Sequence, residues 1–198
     1  NFGNILAAYI ARRMGLPFAR LICASNANNV LTDFINTGVY NRNRDFYRTL
    51  SPSMDILISS NVERLLYYLS GCDCAYVAGK MRELAETGRY TLEGKALAEL
   101  QNVFCAGYCD DEATARTIRE VWDGNRHLID THTAVGVRVL RDLAPGGVSI
   151  IASTASAYKF SDGVLAALGG GHSDGFEAID RLAHLTGSPV PAPLESLR

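Results

Sequence analysis

The first four residues form a polar turn that runs directly into a helical pattern. They are Asn1, Phe2, Gly3 and Asn4. Asn and Gly tolerate left-handed backbone conformations, which let successive N–H groups converge on one point. A helix that begins behind such a turn can bind an anion through its unpaired N–H groups and its dipole. An ordinary capped turn explains the same residues, so the pattern predicts a helix start and a candidate phosphate site.

The helical pattern is followed by a short apolar run that predicts a buried parallel strand. Gly15 and Pro17 end the helix, because glycine accepts a left-handed conformation there and proline cannot continue the helix. Residues 20–24 (Arg-Leu-Ile-Cys-Ala) form the apolar run, and residues 148–152 form a second, β-branched run of the same kind. This order predicts an α/β fold with an open, mostly parallel sheet and flanking helices.

Asn26 and Asn28 belong to an amide-rich cluster directly after the first predicted strand. Ligands collect at the carboxyl ends of parallel strands, and amides can hold a carboxylate or phosphate by neutral hydrogen bonds. Asn is also a common cap for a following helix, which is predicted to end at Gly38. Further along, Arg42 and Arg44 can bind a substrate phosphate or belong to a solvated loop.

The middle of the chain, from Gly71 to about Asp123, has the apolar spacing of packed helices. Leu97, Leu100 and Phe104 share one predicted helical stripe, and residues 110–112 (Asp-Asp-Glu) are typical of an acidic first turn. Core and surface packing is the preferred explanation for this whole segment, so no catalytic role is assigned to it.

His132 lies between two threonines just before another predicted helix. A histidine beside hydroxyl groups can transfer protons or hold a phosphate, and its ordinary pKa of about 6.5 suits both tasks. A structural histidine near a helix start is the simpler alternative.

Composition argues against several classes of partner. The net charge of −2 and the pI of about 6.1 provide no basic surface for nucleic acid. No apolar run approaches the roughly 20 residues that span a bilayer, and no signal-peptide pattern is present, so a cytoplasmic location is expected. The cysteines are odd in number and lack the usual zinc spacing, which favours reduced thiols over a metal site. They are Cys23, Cys72, Cys74, Cys105 and Cys109.

Several motifs resemble those of threonine synthases, which are pyridoxal 5'-phosphate enzymes of fold type II. The turn at residues 1–4 and its helix are similar to the family's Gly-Asn-Phe-Gly-Asn/Asp phosphate loop. Three further segments match: residues 51–56 (Ser-Pro-Ser-Met-Asp-Ile), 130–136 (Asp-Thr-His-Thr-Ala-Val-Gly) and 153–160 (Ser-Thr-Ala-Ser-Ala-Tyr-Lys-Phe). The resemblance covers essentially the whole chain as the carboxyl-terminal half of the longer type of threonine synthase. The chain is therefore expected to begin inside the phosphate motif.

The resemblance implies cofactor contacts in two parts of the chain. The cofactor's phosphate is expected at Asn1, Phe2, Gly3 and Asn4. Thr154 is expected to contact the pyridine nitrogen, which needs one hydrogen-bond partner that a hydroxyl can supply. The family usually carries proline where this chain has Ala157.

The resemblance also implies substrate contacts and a catalytic lysine outside this chain. The substrate-site candidates are Asn26, Asn28, His132 and Lys159, although Lys159 is equally well explained as an exposed charge. The lysines Lys80, Lys95 and Lys159 all lack the Ser-Phe-Lys-Asp context in which the family forms its Schiff base. That lysine is expected upstream of Asn1, in an amino-terminal portion of the same enzyme, and this chain alone is expected to be inactive.

The activity implied for the complete protein is the conversion of O-phospho-L-homoserine and water to L-threonine and phosphate. Two alternatives stay open: another lyase or dehydratase of the same cofactor fold, and a non-catalytic homologue used for binding or assembly. The expected organisation is a cofactor-phosphate-binding part over residues 1–70, a mostly helical segment over 71–125, and the carboxyl-terminal part of the cofactor domain with a tail over 126–198.

Overall fold

A computed structural model describes residues 2–197, and the chain divides into two compact units. The first unit comprises the residues up to Arg48 together with Ser53–Tyr108. The second comprises Thr49–Pro52 together with the residues from Cys109 onward. Each unit has its own hydrophobic core. The three-part division expected from the sequence, which concerns roles toward a cofactor, stays a prediction.

The first unit combines helices with two small sheets. Its helices are α1 (Gly3–Arg13), α2 (Val30–Thr37), α3 (Ser60–Leu69), α4 (Cys74–Thr87) and α5 (Gly94–Val103). Its strands are β1 (Leu21–Ser25), β2 (Val39–Asn41), β3 (Arg89–Thr91) and β4 (Phe104–Tyr108). β1 and β4 pair in parallel with Leu21 opposite Phe104, whereas β2 and β3 pair antiparallel. The predicted α/β fold with helices around a parallel sheet is confirmed.

Local signals predicted α1, β1 and α2 correctly. Gly15, just after α1, has a φ of 110° that L-residues with side chains rarely adopt. Gly38 follows α2 with a φ of 80°, and a Cβ there would lie 2.8 Å from the Leu97 side chain. Glycine is required at position 38 for both its conformation and its close packing.

The second unit is helical. Its helices are α6 (Asp111–Asn125), α7 (Thr131–Leu143), α8 (Ser161–Ala167), α9 (Gly175–Thr186) and α10 (Ala192–Glu195). The carboxylate of Asp110 caps α6 by accepting from the Ala113 amide, which confirms the predicted acidic helix start. A short 3₁₀ turn over Ala157–Phe160 leads into α8.

Two sequence predictions are wrong. Phe104 does not continue a helical stripe, because α5 ends at Val103 and Phe104 begins β4, where β1 supplies a hydrogen-bonding neighbour. Residues 148–152 form no strand, and Val148 and Ile150 are 97% and 82% exposed. β-branched residues favour a strand only where a neighbouring strand pairs with them, and none of the strands in residues 2–197 pairs with this segment.

The described part of the chain lacks a helix that could span a membrane and a cluster that could hold a metal ion. None of its helices is both long and apolar enough to cross a bilayer. Its His, Cys, Asp and Glu side chains form no group of three or more that could hold a metal ion. The five cysteines are free thiols, and burial raises the pKa of the Cys23 thiol to about 12, so this thiol stays protonated and unreactive.

Candidate functional site

The start of α1 has the features of an anion-binding site. Phe2 precedes the helix in a left-handed conformation, with a φ of 58°. Its side chain makes no capping hydrogen bond, and the first turn of α1 contains no acidic residue. Because the first amides of a helix have no acceptor within it, the N–H groups at the start of α1 can bind an anion. Asn1, the remaining predicted phosphate contact, lies outside the described residues.

The left-handed conformation of Phe2 is maintained by burial of its side chain. This conformation costs an L-residue roughly 1–2 kcal/mol because Cβ approaches the following carbonyl oxygen. The Phe2 side chain is 5% exposed, and its ring centroid lies 5.6 Å from that of Phe104 in β4. Burial of an aromatic side chain contributes enough free energy to offset the strain. Strained non-glycine residues cluster at ligand sites, so the conformation of Phe2 makes this turn a candidate ligand site.

Gly3 leaves space in front of α1 for a close approach by a ligand. It is exposed, and a Cβ at this position would lie 3.6 Å from Asn61 Nδ2, near the start of α3. Asn61 Oδ1 accepts a hydrogen bond from Arg64 at 3.0 Å. The amide nitrogen of Asn61 therefore lies close to the start of α1. The residues present thus fit a phosphate, and sequence analysis missed Asn61 because its proximity to Gly3 arises from tertiary packing.

Asn26 and Asn28 follow the carboxyl end of β1, as predicted, and both are buried. Asn26 Nδ2 and Asn28 Nδ2 both donate to Asp55 Oδ1, at 2.8 and 3.0 Å. Asn28 also donates to the carbonyl of Tyr47 and accepts from its amide, while Asn26 Oδ1 accepts from the Asn28 amide. These contacts hold Tyr47 and Asp55 against the strand end. Their role toward a substrate stays a prediction.

The two arginines that follow also make contacts within the first unit. Arg44 bonds to Asn29 Oδ1 at 2.9 Å and pairs with Asp33 at 2.8 Å. Arg42 donates to the carbonyl of Ala85 at 3.2 Å. These three contacts favour structural roles for the two arginines over binding of a substrate phosphate.

His132 lies at the start of α7 in a hydrogen-bonded cluster. Asp130, whose side chain is fully buried, accepts from the amides of His132 and Thr133 and from the Thr133 hydroxyl. His132 Nδ1 lies 3.1 Å from Asp130 Oδ1, and its ring centroid lies 4.4 Å from that of Phe160. Thr133 Oγ1 lies 2.9 Å from Ser153 Oγ. Asp130, Thr133 and Ser153 were not predicted as site residues, although all three belong to matched family segments.

Thr154 and Lys159 lie on the exposed segment that follows Ser153 and on the 3₁₀ turn, respectively. Both side chains are exposed, so Thr154 can offer its hydroxyl to a ligand. The Lys159 ammonium lies 5.4 Å from the centroid of the Phe160 ring. The imidazole of His132, in α7, contacts the same ring. The structure therefore brings His132 and Lys159 to one aromatic side chain, and it places Thr154 next to the hydrogen-bonded Ser153.

The pKa of Asp130 predicts a loss of stability in acid. Burial by itself raises this pKa, but hydrogen bonds from the side chains and amides of His132 and Thr133 outweigh it, and the pKa lies below its ordinary value. The ionised form therefore stabilises the folded state fully above the unfolded-chain pKa of about 3.9, and this contribution is lost as pH falls through the lower folded pKa. Thermal denaturation across this pH range should show that the stability of Asp130→Asn falls less steeply with decreasing pH than that of the parent. Equal slopes would contradict the lowered pKa of Asp130.

Comparisons with known proteins agree with these features. Residues 133–192 match the family model described as "Threonine synthase, C-terminal". Human Threonine synthase-like 1 is 39% identical over 171 residues, which is 85% of this chain and 23% of that protein. The crystal structure of PLP-bound threonine synthase from Brucella melitensis is 41% identical with a TM-score of 0.82, over 92% of this chain and 39% of that one.

Yeast threonine synthase gives the same result over a larger share of the chain. Its crystal structure is 34% identical, with a TM-score of 0.83, and the match covers 99% of this chain and 40% of that one. The chain spans less than half the length of each of these relatives. The resemblance seen in the sequence motifs is confirmed: the chain belongs to the threonine synthase family and matches the carboxyl-terminal part of its members.

Proposed function

We propose that the complete protein containing this chain is a threonine synthase. It would convert O-phospho-L-homoserine and water to L-threonine and phosphate with pyridoxal 5'-phosphate as cofactor. The observation that carries this proposal is the start of α1, where a left-handed Phe2, an uncapped helix and an open Gly3 fit a phosphate dianion. Its likeness to the PLP-bound threonine synthase from Brucella melitensis supports the choice of cofactor.

The proposed cofactor contacts come from two separate segments of the chain. In the first unit, the amides at Gly3 and Asn4, with the Asn61 side chain, bind and orient the cofactor's phosphate. In the second unit, the Thr154 hydroxyl would form a hydrogen bond with the pyridine nitrogen. Unlike a carboxylate, a hydroxyl does not force this nitrogen to be protonated. The bound cofactor withdraws electrons from the substrate's α-carbon, which makes proton loss there feasible.

The substrate candidates are expected to act through hydrogen bonds and charge. The Lys159 ammonium is suited to a phosphate oxygen, and a ring nitrogen of His132 can hold a proton or accept one from substrate. Asn26 and Asn28 would position the loop at the carboxyl end of β1. The lysine that joins the cofactor covalently would belong to the amino-terminal portion of the complete enzyme. A cytosolic location is part of the same proposal.

A second candidate is another lyase or dehydratase reaction with the same cofactor, or a non-catalytic role in binding or assembly. One observation favours keeping it: human Threonine synthase-like 1 is about as similar to this chain as the threonine synthases are. The complete protein distinguishes these functions. Phosphate release from O-phospho-L-homoserine with formation of threonine supports the first proposal, and dehydration of serine or threonine without it supports the second. An active enzyme should show an absorption band of bound cofactor that borohydride reduction bleaches. If this band is absent, both enzymatic functions are excluded.

Thr154→Ala is expected to weaken cofactor binding about three- to tenfold, because one hydrogen bond contributes roughly 0.5–1.5 kcal/mol. The exposed side chain makes this variant nearly neutral for stability, within about 0.5 kcal/mol. Thr154→Ser keeps the hydroxyl and should bind like the parent. Equilibrium titration with cofactor measures both variants, and an equal loss in Ser and Ala would show that the hydroxyl makes no such contact.

A further inference from the structure

Asp130 has more hydrogen-bonding neighbours than a helix cap requires. A capping carboxylate needs one oxygen to accept from the first amides of its helix. Asp130 uses Oδ1 for the amides of His132 and Thr133, at 2.8 and 3.3 Å. The same oxygen lies 3.1 Å from His132 Nδ1, and Oδ2 accepts from the Thr133 hydroxyl. The carboxylate therefore contacts two side chains of α7 in addition to its backbone amides.

The chemistry of the carboxylate fixes the protonation pattern of its neighbours. With its pKa lowered, Asp130 is ionised at neutral pH and can only accept hydrogen bonds. His132 Nδ1 must then carry a proton, which makes Nε2 the accepting nitrogen of the neutral ring. Contact with Phe160, at 4.4 Å between ring centroids, restricts rotation of the imidazole.

Thr133 links the carboxylate to Ser153. The Thr133 hydroxyl bonds to Asp130 Oδ2, and Thr133 Oγ1 lies 2.9 Å from Ser153 Oγ. A chain of hydrogen bonds therefore joins Ser153, Thr133 and Asp130. Ser153 belongs to an exposed segment without regular secondary structure, so this bond restrains the backbone that carries Thr154.

We propose that Asp130 is a positioning residue for two groups of the proposed site. It holds the Nδ1–H form of His132 and, through Thr133, anchors Ser153 so that Thr154 presents its hydroxyl from a fixed backbone. This role rests on the proposed function, in which Thr154 contacts the cofactor. The network itself is independent of any ligand, because all of its members are protein groups.

Asp130→Asn tests this role in the complete protein without cofactor. Asparagine caps helices about as well as aspartate, so α7 should persist, but it lacks the negative charge that holds the Nδ1–H form of His132, and its Nδ2 cannot accept from the Thr133 hydroxyl. Nitrogen NMR should show His132 moving from the Nδ1–H form to a mixture of both tautomers. Nitrogen relaxation should show larger motions of the Ser153 and Thr154 backbone, and cofactor affinity should fall about tenfold.

Thr133→Val is the matched variant, because it removes the link to Ser153 and keeps the pair of Asp130 with His132. It should increase the backbone motion of Ser153 and Thr154 and weaken cofactor binding without changing the tautomer, and Thr133→Ser should restore both. An unchanged tautomer and unchanged backbone motion in Asp130→Asn would overturn the proposal. If both change while cofactor affinity does not, the positioning of cofactor contacts is refuted. Thr154→Ala, which leaves the network intact, separately tests the proposed function.

Discussion

Gly3→Asp is expected to stabilise the folded protein and at the same time prevent it from retaining pyridoxal phosphate. A carboxylate in the first turn of a helix interacts favourably with the helix dipole, by about 0.3–1 kcal/mol. The same carboxylate would face the cofactor's phosphate dianion at close range. With an effective dielectric constant near 20, even one pair of unit charges about 6–8 Å apart repels by about 2–3 kcal/mol, so affinity should fall by at least roughly 30- to 150-fold. Stability and binding should therefore change in opposite directions.

Gly3→Asn is the control that separates charge from bulk. It has nearly the size and shape of aspartate, and a Cβ at position 3 makes only an ordinary contact of 3.6 Å with Asn61. It should weaken cofactor binding by much less than the aspartate variant does. Denaturation without cofactor and equilibrium titration with cofactor measure the two effects. Equal affinities for the aspartate and asparagine variants would show that no phosphate binds at the start of α1.

The parts of the fold that the sequence predicted are those decided by neighbouring residues. Gly15 and Gly38 end their helices in the left-handed conformation, and both stops were visible as glycines after apolar patterns. β1 was predicted because its apolar run is short and bounded by polar residues. The capped start of α6 follows from Asp110 alone, since its carboxylate reaches the Ala113 amide three residues away. Such features need no information from distant parts of the chain.

The parts that failed depend on partners distant in sequence. Leu100 and Phe104 have helical spacing, yet Phe104 pairs with Leu21 in the parallel sheet, and no glycine or proline separates α5 from β4. Val148 and Ile150 have strong β propensity but no neighbouring strand among residues 2–197. Strand propensity describes a fit to a sheet, so it cannot show whether a sheet is present.

The candidate site likewise contains residues that the sequence reveals and residues that only the fold reveals. Phe2, Gly3, His132 and Thr154 were found through motifs, because their chemistry lies in short contiguous segments. Asn61 and Ser153 gained their significance from contacts with Gly3 and Thr133, which only the folded chain creates. The left-handed conformation of Phe2 likewise depends on Phe104, a residue with no visible link to the turn in sequence. The sequence therefore identifies the candidate site residues more readily than it identifies the residues that hold them in place.

Phe104→Ala is expected to destabilise the first unit by about 3–5 kcal/mol, the usual cost of removing a buried aromatic ring. Phe104 is 1% exposed, and its ring centroid lies 5.6 Å from those of both Phe2 and Tyr9. The cavity would remove the packing that offsets the strain of Phe2, so cofactor affinity should fall as well. This loss is a large fraction of the 5–15 kcal/mol that stabilises a typical domain. Urea denaturation should show a lower midpoint with an unchanged slope.

Tyr108→Ala provides a matched aromatic truncation on the same strand. Tyr108 is the last residue of β4 and is 54% exposed, so its removal leaves no cavity and should change stability by less than about 0.5 kcal/mol. The difference in stability between the two variants separates the effect of the buried position of Phe104 from the effect of removing an aromatic ring from this strand. If both variants cost the same, Phe104 cannot be the central contact of this core. If Phe104→Ala destabilises the protein but the variant that remains folded binds cofactor normally, the left-handed Phe2 does not depend on the ring beneath it.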